Sequence, residues 1–542
     1  MLKPIKNYSN PWLIAVFIAS SFASATGAQS VGPNDTAQST LRWSTQSDIQ
    51  TLDPHAQNDV TTNSLNGNVY EKLTARDEKL AITTGLAQRW QQVDALTWRF
   101  MLRKGVQFHD GTVMTADDVV FSIKRAQKPG SGIAQYAIAL GDVSQIDDTT
   151  VEFKLLKPNP VFLDHIDTVH IMSRAWCTTN RALTPSSPKN RLEAFAAKNA
   201  NGTGPFSVVS REIDVKTVMR SHPNYWGLAA GRVTGNVKDL IFVPISSPAT
   251  RVAALLTGAV DLVLDPTPQD MPRLQNTAGF KLQSGVENRV VFLGFDQLRD
   301  ALVHGSLKSI NPFKDLRVRQ AVAHAIDVRE LQTQVMRGQS LPTGCLMPSP
   351  IACNLVPELD ASRWIYDLAL SRALLTQAGY AQGFEVTLDC PNRLEPVCVA
   401  LASMLARVDI KLRVNSMPLA NYFEKLEKFD TSFYLLAWGG AETDPQPTMD
   451  PIMHSLQSTT GRGVDNYGRF ANAQLDALIT NAASEVDNVK RQGMLRAALK
   501  LHYDNVYHLP VHRQMLTWAM RSNVQPVHAA NNHMRAWMVR VN

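Results

Sequence analysis

Residues 98–125 read WRFMLRKGVQFHDGTVMTADDVVFSIKR, and this is the most regularly patterned stretch of the chain. Apolar and polar side chains alternate at its start, which is typical of a strand with one buried face. Asp110 and Gly111 predict a tight turn, and Thr115 with Asp118 predicts a capping box at the start of a helix. The stretch therefore predicts a strand, a turn and a helix, and nothing in it indicates catalysis.

The bulk composition describes an ordinary globular protein. The chain has 542 residues, of which 44% are hydrophobic and 19% charged, so we expect two or three domains with ample core material. The net charge of +6 is small for this length, and the basic residues are scattered. This distribution argues against a nucleic-acid partner.

The N-terminus predicts export. Lys3 and Lys6 precede an apolar run at 12–22, and small residues follow at 23–28, which together are typical of a signal peptide spanning 1–28. The alternative is a membrane anchor, but the run is shorter than the roughly 20 apolar residues that a spanning helix needs. No cysteine follows the run, so the sequence predicts no lipid anchor and a protein exported to an oxidising compartment.

The cysteines fit that compartment. Cys345 with Cys353, and Cys390 with Cys398, form two closely spaced pairs, and in an exported chain such pairs predict disulfides. Free thiols are one alternative, and a four-thiolate zinc site is another, although zinc ligands are normally two to four residues apart. Cys177 is left over and is predicted to be buried.

The remaining pattern predicts α/β architecture. Strand, helix and strand follow one another at 240–264, which implies a parallel pair, and similar alternation fills 297–510. An apolar strand at 290–295 and a segment at 506–516 are predicted to cross between two lobes. We found no nucleophile elbow, phosphate loop, zinc-protease or dinucleotide motif, so the sequence predicts neither an enzyme nor a cofactor or metal site.

Two strand ends in the second lobe are candidates for ligand binding. The strand at 433–438 ends at Trp438 and leads into Gly439-Gly440-Ala441-Glu442-Thr443-Asp444-Pro445, and the strand at 384–389 leads to Arg393. If both strands are parallel in one sheet, their loops share a rim and present an acid and a base to one cleft. An acid for an ammonium group and an arginine for a carboxylate would suit a zwitterion, and Trp438 offers an apolar face.

The motifs also carry a family resemblance. The stretch at 98–125, which we call the opening stretch, and five other motifs resemble, in the same order, the extracellular solute-binding proteins of family 5 from bacterial ABC importers. The five other motifs are TLDPH at 51–55, YEKL at 70–73, GTGPF at 202–206, NYWG at 224–227 and NPFKDLRVRQAVAHAID at 311–327. The resemblance implies a type II periplasmic-binding-protein clamp of two α/β lobes with an extra α+β domain inserted in the first. The predicted divisions are 41–60, 200–290 and 512–542 for lobe 1, 61–199 for the inserted domain and 291–511 for lobe 2.

The resemblance also implies site residues. In peptide-binding members an Asp after the WG-type strand end holds the peptide amine, and the matching position is Asp444, with Glu442 as the alternative. In dipeptide binders an Arg holds the carboxylate, and Arg393 is the match. Related sequences read CPNDR where this chain has Asn392 directly before Arg393, so the reach of this arginine differs.

These observations predict a monomeric periplasmic protein that captures a small peptide or peptide-like solute and delivers it to an ABC permease. A metal-chelate (nickel) or haem receptor of the same fold is the first alternative. A secreted hydrolase is a second, disfavoured because no nucleophile constellation is present. A sensory receptor is a third.

Overall fold

The computed structural model describes residues 40–186, 194–361, 364–440, 443–457 and 461–542. The predicted signal peptide at 1–28 lies outside these ranges. The strands are β1 (Thr40–Ser44), β2 (Thr74–Arg76), β3 (Ile82–Thr84), β4 (Ala87–Asp94), β5 (Thr97–Leu102), β6 (Asp142–Asp147), β7 (Thr150–Lys154), β8 (Phe206–Glu212), β9 (Lys216–Ser221), β10 (Asp239–Phe242), β11 (Leu262–Leu264), β12 (Phe280–Phe295), β13 (Ser340–Pro342), β14 (Phe384–Pro391), β15 (Ile410–Met417), β16 (Phe433–Gly439), β17 (His508–Arg521), β18 (Val524–Gln525) and β19 (Arg540–Val541).

The helices lie between these strands and on the faces of the sheets. They are α1 (Val60–Asn66), α2 (Ala116–Ala126), α3 (Ala134–Ile138), α4 (Phe162–Ile166), α5 (Arg174–Thr179), α6 (Phe195–Lys198), α7 (Pro248–Thr257), α8 (Met271–Gln275), α9 (Leu316–Ala325), α10 (Val328–Glu330), α11 (Pro350–Cys353), α12 (Pro357–Ala361), α13 (Leu368–Gln377), α14 (Glu395–Ala406), α15 (Leu419–Glu427), α16 (Gln446–Ile452), α17 (Ala473–Ala482) and α18 (Asn488–Asp504). None of the helices in the described ranges is long and apolar enough to cross a membrane.

One large sheet runs through the molecule in the order β15-β14-β16-β12-β17-β11-β1-β10-β9-β8, with β13 also paired to β17. Its centre is the antiparallel pair β12 and β17, which are 16 and 14 residues long. The sequence predicted a short strand at 290–295 and a crossing segment at 506–516. Both strands are longer because each continues from one half of the sheet into the other.

The first half of the sheet consists of β1, β8, β9, β10 and β11. The predicted strand–helix–strand unit is present as β10, α7 and β11. The two strands are parallel but not neighbours, since β1 lies between them and pairs with both. Ser247 caps α7 by accepting from the backbone N–H of Thr250, and Gly258 ends the helix with a φ of 81°.

The second half of the sheet consists of β14, β15 and β16, flanked by helices. The strand β14 is parallel to β15 along its whole length and to β16 at Asp389 and Tyr434, as the sequence analysis required. Asp315 caps α9 and Asp367 caps α13, each accepting hydrogen bonds from backbone N–H groups in the first turn. The carboxyl ends of β14 and β16 therefore lie at the same edge of the sheet.

The opening stretch forms part of a separate four-stranded sheet in the order β4-β5-β7-β6. The predicted capping box is present, with the Thr115 backbone N–H donating to Asp118 at 2.9 Å at the start of α2. At the other end of α2, Arg125 forms a fully buried ion pair with Asp53 at 2.7 Å. Phe162 stacks on Trp98 and makes a tilted ring contact with Phe100 in the core beside this sheet. This stretch is structural.

The cysteines divide differently from the prediction. Cys345 and Cys353 form a disulfide, as predicted. Cys390 and Cys398 do not: both are buried free thiols, so the second predicted disulfide is wrong. Their side chains are hydrogen-bonded to each other, and burial holds the pKa of the Cys398 thiol far above its ordinary value. Cys177 is buried, and burial raises its pKa to about 12.

Candidate functional site

Two adjoining cavities lie where β12 and β17 connect the halves of the large sheet. Cavity 1 has a volume of about 250 Å³. It is lined by residues from the first half of the chain (Tyr70, Glu71, Lys72, Arg76, Asp164, His170), from β12 (Glu287, Asn288, Arg289), from the end of β16 (Trp438, Gly439, Gly440) and from the C-terminal segment (Asn531, His533, Arg535). Elements from both halves of the sheet therefore meet around one volume.

Cavity 2 is smaller and more polar. Its volume is about 120 Å³, and its lining includes Arg251, Asp265 and Arg393. It shares Val60, Glu287 and Arg289 with cavity 1. The two cavities thus adjoin at β12, and the acid Glu287 and the base Arg289 line both of them.

The shared residues lie on a bulge in β12. Val286 pairs with Met515 and Val290 pairs with Arg513, so three residues of β12 lie opposite a single residue of β17. A bulge of this kind interrupts the ladder and changes the direction of its side chains. We call residues 287–289, Glu-Asn-Arg, the β12 bulge.

Backbone hydrogen bonds tie the β12 bulge to two other segments. The Asn288 N–H donates to the carbonyl of Ala530 at 2.9 Å, and the Asn288 carbonyl accepts from the N–H of Gly440 at 3.2 Å. Gly439 makes the second contact possible, because a Cβ there would lie 2.9 Å from the Asn288 carbonyl oxygen. The bulge is thus fixed both to the C-terminal segment and to the end of β16.

The side chains of the β12 bulge are incompletely paired. Arg289 Nε donates to Glu287 Oε1 at 2.9 Å. Burial by itself lowers the pKa of Arg289, but the charge of Glu287 and this hydrogen bond outweigh it and raise the pKa above its ordinary value. The other oxygen, Glu287 Oε2, is buried and accepts no hydrogen bond from the described residues, and the same holds for the donor Asn288 Nδ2. A buried carboxylate oxygen and a buried amide without partners are costly in a folded protein, and such groups are typical of binding sites.

Arg393 follows β14 in a short 3-10 turn, Asn392–Leu394, and lines cavity 2. Within the described part of the chain its guanidinium has no hydrogen-bond or ion-pair partner. Although water reaches the side chain, desolvation by the surrounding protein, together with the charge of Arg289, lowers its pKa to about 10. It remains a cation at neutral pH and is available to an anion.

Asp265 follows β11 and also lines cavity 2. It has a left-handed backbone with a φ of 52°, and its Oδ2 accepts from Asn532 Nδ2 at 3.0 Å. The surrounding protein, followed by the charge of Glu287, raises its pKa to about 6. The two carboxyl groups therefore repel each other across a region that also contains Arg251, Arg289 and Arg393.

Asp444, the predicted amine partner, is already paired. Arg491 on α18 binds both of its carboxylate oxygens, at 2.6 and 2.8 Å, and Asp444 Oδ1 also accepts from the backbone N–H of Gln446. Asp444 lines neither cavity 1 nor cavity 2. The structure does not bring it together with Arg393 in one cavity, and its ion pair fixes the segment before α16. The alternative, Glu442, lies outside the described residues.

Three other predicted residues do line cavity 1. They are Trp438, Gly439 and Gly440 at the end of β16. Three other acids line cavity 1, Glu71, Asp164 and Asp167. Arg76 pairs with both aspartates, and the oxygens of Glu71 accept from Thr203, Tyr225 and Trp226 at 2.8–3.0 Å. Unlike Glu287, Glu71 is fully hydrogen-bonded by the protein itself.

Histidines near cavity 1 are uncharged. Burial lowers the pKa of His533 to about 3 and that of His170 well below its ordinary value. Among the described residues, no three His, Cys, Asp or Glu side chains are grouped closely enough to hold a metal ion.

The β12 bulge was not predicted from the sequence. Its signal was present in the sequence: the polar residues Glu287, Asn288 and Arg289 interrupt the alternation immediately before the apolar run at 290–295. Three consecutive polar residues inside a long strand favour a bulge. Taking the run alone as the strand hid this interruption.

Comparisons with known proteins agree with this architecture. The model of the bacterial extracellular solute-binding proteins, family 5 Middle, matches residues 81–460. The chain is 25% identical over 480 residues to heme-binding protein A of Haemophilus influenzae, covering 83% of this chain and 82% of that protein. It is 24% identical over 458 residues to the dipeptide-binding protein of Escherichia coli, covering 78% and 79%.

A solved structure shares the fold. The chain superposes with a TM-score of 0.77 on an ABC transporter-associated periplasmic binding protein from Helicobacter pylori in complex with the peptide STSA. Their identity is 21%, and the match covers 93% of this chain and 98% of that one. The fold is therefore the predicted α/β clamp of the type II periplasmic binding proteins, with an additional α+β domain inserted in the first lobe.

Proposed function

The chain belongs to the bacterial extracellular solute-binding proteins of family 5, and from this premise we propose that it captures a small peptide or peptide-like solute in the periplasm and delivers it to the membrane permease of an ABC importer. We propose that it acts as a monomer and catalyses no reaction. Its two lobes would be 41–60 with 200–290 and 512–542, and 291–511, with 61–199 inserted in the first.

The observation that carries this proposal is the pair of adjoining cavities where β12 and β17 connect the lobes. They contain an acid with an unpartnered oxygen, Glu287, and a cation without a partner in the described chain, Arg393. A zwitterionic solute supplies one ammonium for the first and one carboxylate for the second, and arginine binds a carboxylate through two parallel hydrogen bonds. A solute in this position contacts both lobes.

The size of the cavities favours a short solute. Their volumes are about 250 and 120 Å³, whereas pockets for drug-sized ligands are roughly 300–1,000 Å³. A peptide of a few residues suits them better than a tetrapyrrole, although one relative is a heme-binding protein.

Contacts to both lobes would link binding to closure. A ligand shifts a conformational equilibrium only by its difference in affinity for the two states. A solute that contacts the β12 bulge, Trp438 and Arg393 together gains these contacts only when the lobes are closed. The closed form would then be what the permease recognises.

Calorimetric titration tests this function. The exported protein is unfolded, dialysed and refolded to remove bound solute, and then titrated with dipeptides that have free termini, with haem and with nickel–histidine. We expect dipeptides to bind at a Kd of about 1 µM, equivalent to roughly −8 kcal/mol. Binding of haem or nickel–histidine without binding of any peptide would overturn the proposal in favour of that receptor.

A further inference from the structure

We propose that the β12 bulge is the recognition element for the N-terminal residue of the solute. Glu287 Oε2 would accept the ammonium group, and Asn288 Nδ2 would donate to the first carbonyl. This inference rests on the proposed function and assigns residues and ligand chemistry within the same site.

The unpartnered groups of the β12 bulge are complementary to the N-terminal residue of a peptide. Glu287 and Asn288 are each 4% exposed, and both line cavity 1. One offers a buried anionic acceptor and the other a buried neutral donor, and neither has a partner within the described residues. The N-terminal residue of a peptide presents the reverse pair, a cationic donor followed by a neutral carbonyl acceptor.

The other acids near the site are already hydrogen-bonded or less readily ionised. Both oxygens of Asp444 are bound by Arg491, and Glu71 receives hydrogen bonds from three side chains. The two aspartates that line cavity 1, Asp164 and Asp167, are both paired with Arg76. Asp265 lines cavity 2, and its pKa is raised to about 6. At a given pH it is therefore protonated and neutral to a greater extent than an ordinary carboxyl group. Glu287 is therefore the acid best suited to an ammonium group.

Hydrogen bonds hold the β12 bulge in place before a ligand binds. Arg289 Nε holds Glu287 Oε1, and the Asn288 backbone is bonded to Ala530 and Gly440. Because the acid is already oriented, an incoming ammonium group does not have to order it, and this lowers the entropic cost of binding. The Gly440 contact also makes the bulge sensitive to the position of the end of β16.

The direction of the bound peptide follows. Arg393 lies in cavity 2, beyond Glu287 and Arg289, which belong to both cavities. A short peptide with its amine on Glu287 can place its carboxylate near Arg289 and Arg393. Such a ligand needs both free termini.

The test uses three peptides, Ala-Phe, N-acetyl-Ala-Phe and Ala-Phe-amide, with the refolded full-length exported protein. For the wild type we expect acetylation and amidation each to weaken binding by about tenfold to a hundredfold, since each removes a charged hydrogen bond. Glu287→Gln should weaken binding of Ala-Phe by a similar factor and leave N-acetyl-Ala-Phe unchanged, so that the penalty for acetylation disappears while that for amidation remains.

Two control variants sharpen the test. Arg393→Gln should show the opposite pattern, losing the penalty for amidation and keeping that for acetylation. Asp444→Asn should keep both penalties. If Glu287→Gln unfolds, as judged by circular dichroism, Glu287→Asp replaces it and should keep only part of the penalty for acetylation.

The outcomes are distinguishable. If Glu287→Gln keeps the full penalty for acetylation, or if Asp444→Asn loses it, the assignment to the β12 bulge is wrong although peptide binding stands. If the wild-type protein binds none of the three peptides, the proposed function fails, and the inference fails with it.

Discussion

Two acid–arginine pairs, one on the bulge in the middle of β12 and one after the end of β16, differ in how completely the acid is bonded. Arg491 binds both oxygens of Asp444, whereas Arg289 binds only one oxygen of Glu287. The first pair closes on itself and anchors a loop. The second leaves a buried oxygen without a partner on a residue that lines both cavities. An acidic residue is available to a ligand when the fold has not already satisfied it.

The opening stretch, residues 98–125, contributes to another acid–arginine pair in which the acid is fully hydrogen-bonded. Arg125 and Asp53 are both fully buried, and Asp53 also accepts from the backbone and hydroxyl of Ser186. The resulting network is closed and holds α2 against the loop at 51–55. Charge and burial alone therefore do not identify a binding site.

Replacement of Asp444 should cause the largest loss in the free energy of unfolding. Asp444→Ala leaves the Arg491 guanidinium buried without its partner, and breaking a buried pair costs roughly 3 kcal/mol. Urea unfolding should show this loss, while peptide affinity of the folded fraction changes little. Asp444→Asn and Glu287→Gln are the matched neutral variants: each leaves a buried arginine beside an amide in place of a carboxylate, so both should lose stability, and only Glu287→Gln should also lose peptide affinity. The reverse pattern would contradict the contrast between the two pairs.

A substitution at Gly439 should disturb the contact between the β12 bulge and the end of β16. In Gly439→Ala the new Cβ would lie 2.9 Å from the Asn288 carbonyl oxygen and 3.2 Å from Arg289 Cζ, so the β12 bulge must move. We expect a loss of about 2 kcal/mol in unfolding free energy and weaker peptide binding by calorimetry. Gly493→Ala in α18 is the control, because nothing lies within 4 Å of its Cβ. It should stabilise the protein slightly, and equal effects at both glycines would argue against a close approach at Gly439.

The smallest effect concerns the pH dependence caused by Asp265. Its folded-state pKa of about 6 lies above the ordinary value of 3.8. Below pH 4 the carboxyl group is protonated in both states, and between pH 4 and 6 only the unfolded state ionises. Stability from this group therefore falls as pH rises through that window and is constant above it.

Asp265→Asn should abolish this fall. Relative to the wild type it should gain about 1 kcal/mol between pH 4 and 7, less than the roughly 3 kcal/mol of the full shift, because water in cavity 2 screens the charge. Urea titrations at pH 4, 5, 6 and 7 give the difference. A difference that does not change with pH would show that Asp265 carries no such penalty.

Much of the fold could be predicted because it depends on local patterns. The capping box at Thr115, the helices capped by Asp315 and Asp367, and the parallel strands β14 and β16 all follow from spacing and turn chemistry. The ordered motifs also identified the family, which is confirmed. The cysteine pairs show the limit: equal spacing predicted two disulfides, yet only Cys345 and Cys353 are bonded within the described chain.

The candidate site could be predicted only in part. Trp438, Gly439, Gly440 and Arg393 line the cavities, and their roles as ligand contacts stay predictions. The sequence could not show that Arg491, 47 positions away, already holds Asp444. Nor could it show that one oxygen of Glu287, buried in the β12 bulge, has no partner among the described residues.

The sequence by itself determined the family, the α/β strand–helix alternation and the chemistry available at the ends of the strands, because these depend on residue types at fixed spacing. Only the tertiary structure decided which acids are paired and which are open, since pairing depends on distances between residues far apart in the chain. It assigned Asp444 to Arg491 and left one oxygen of Glu287 without a partner among the described residues.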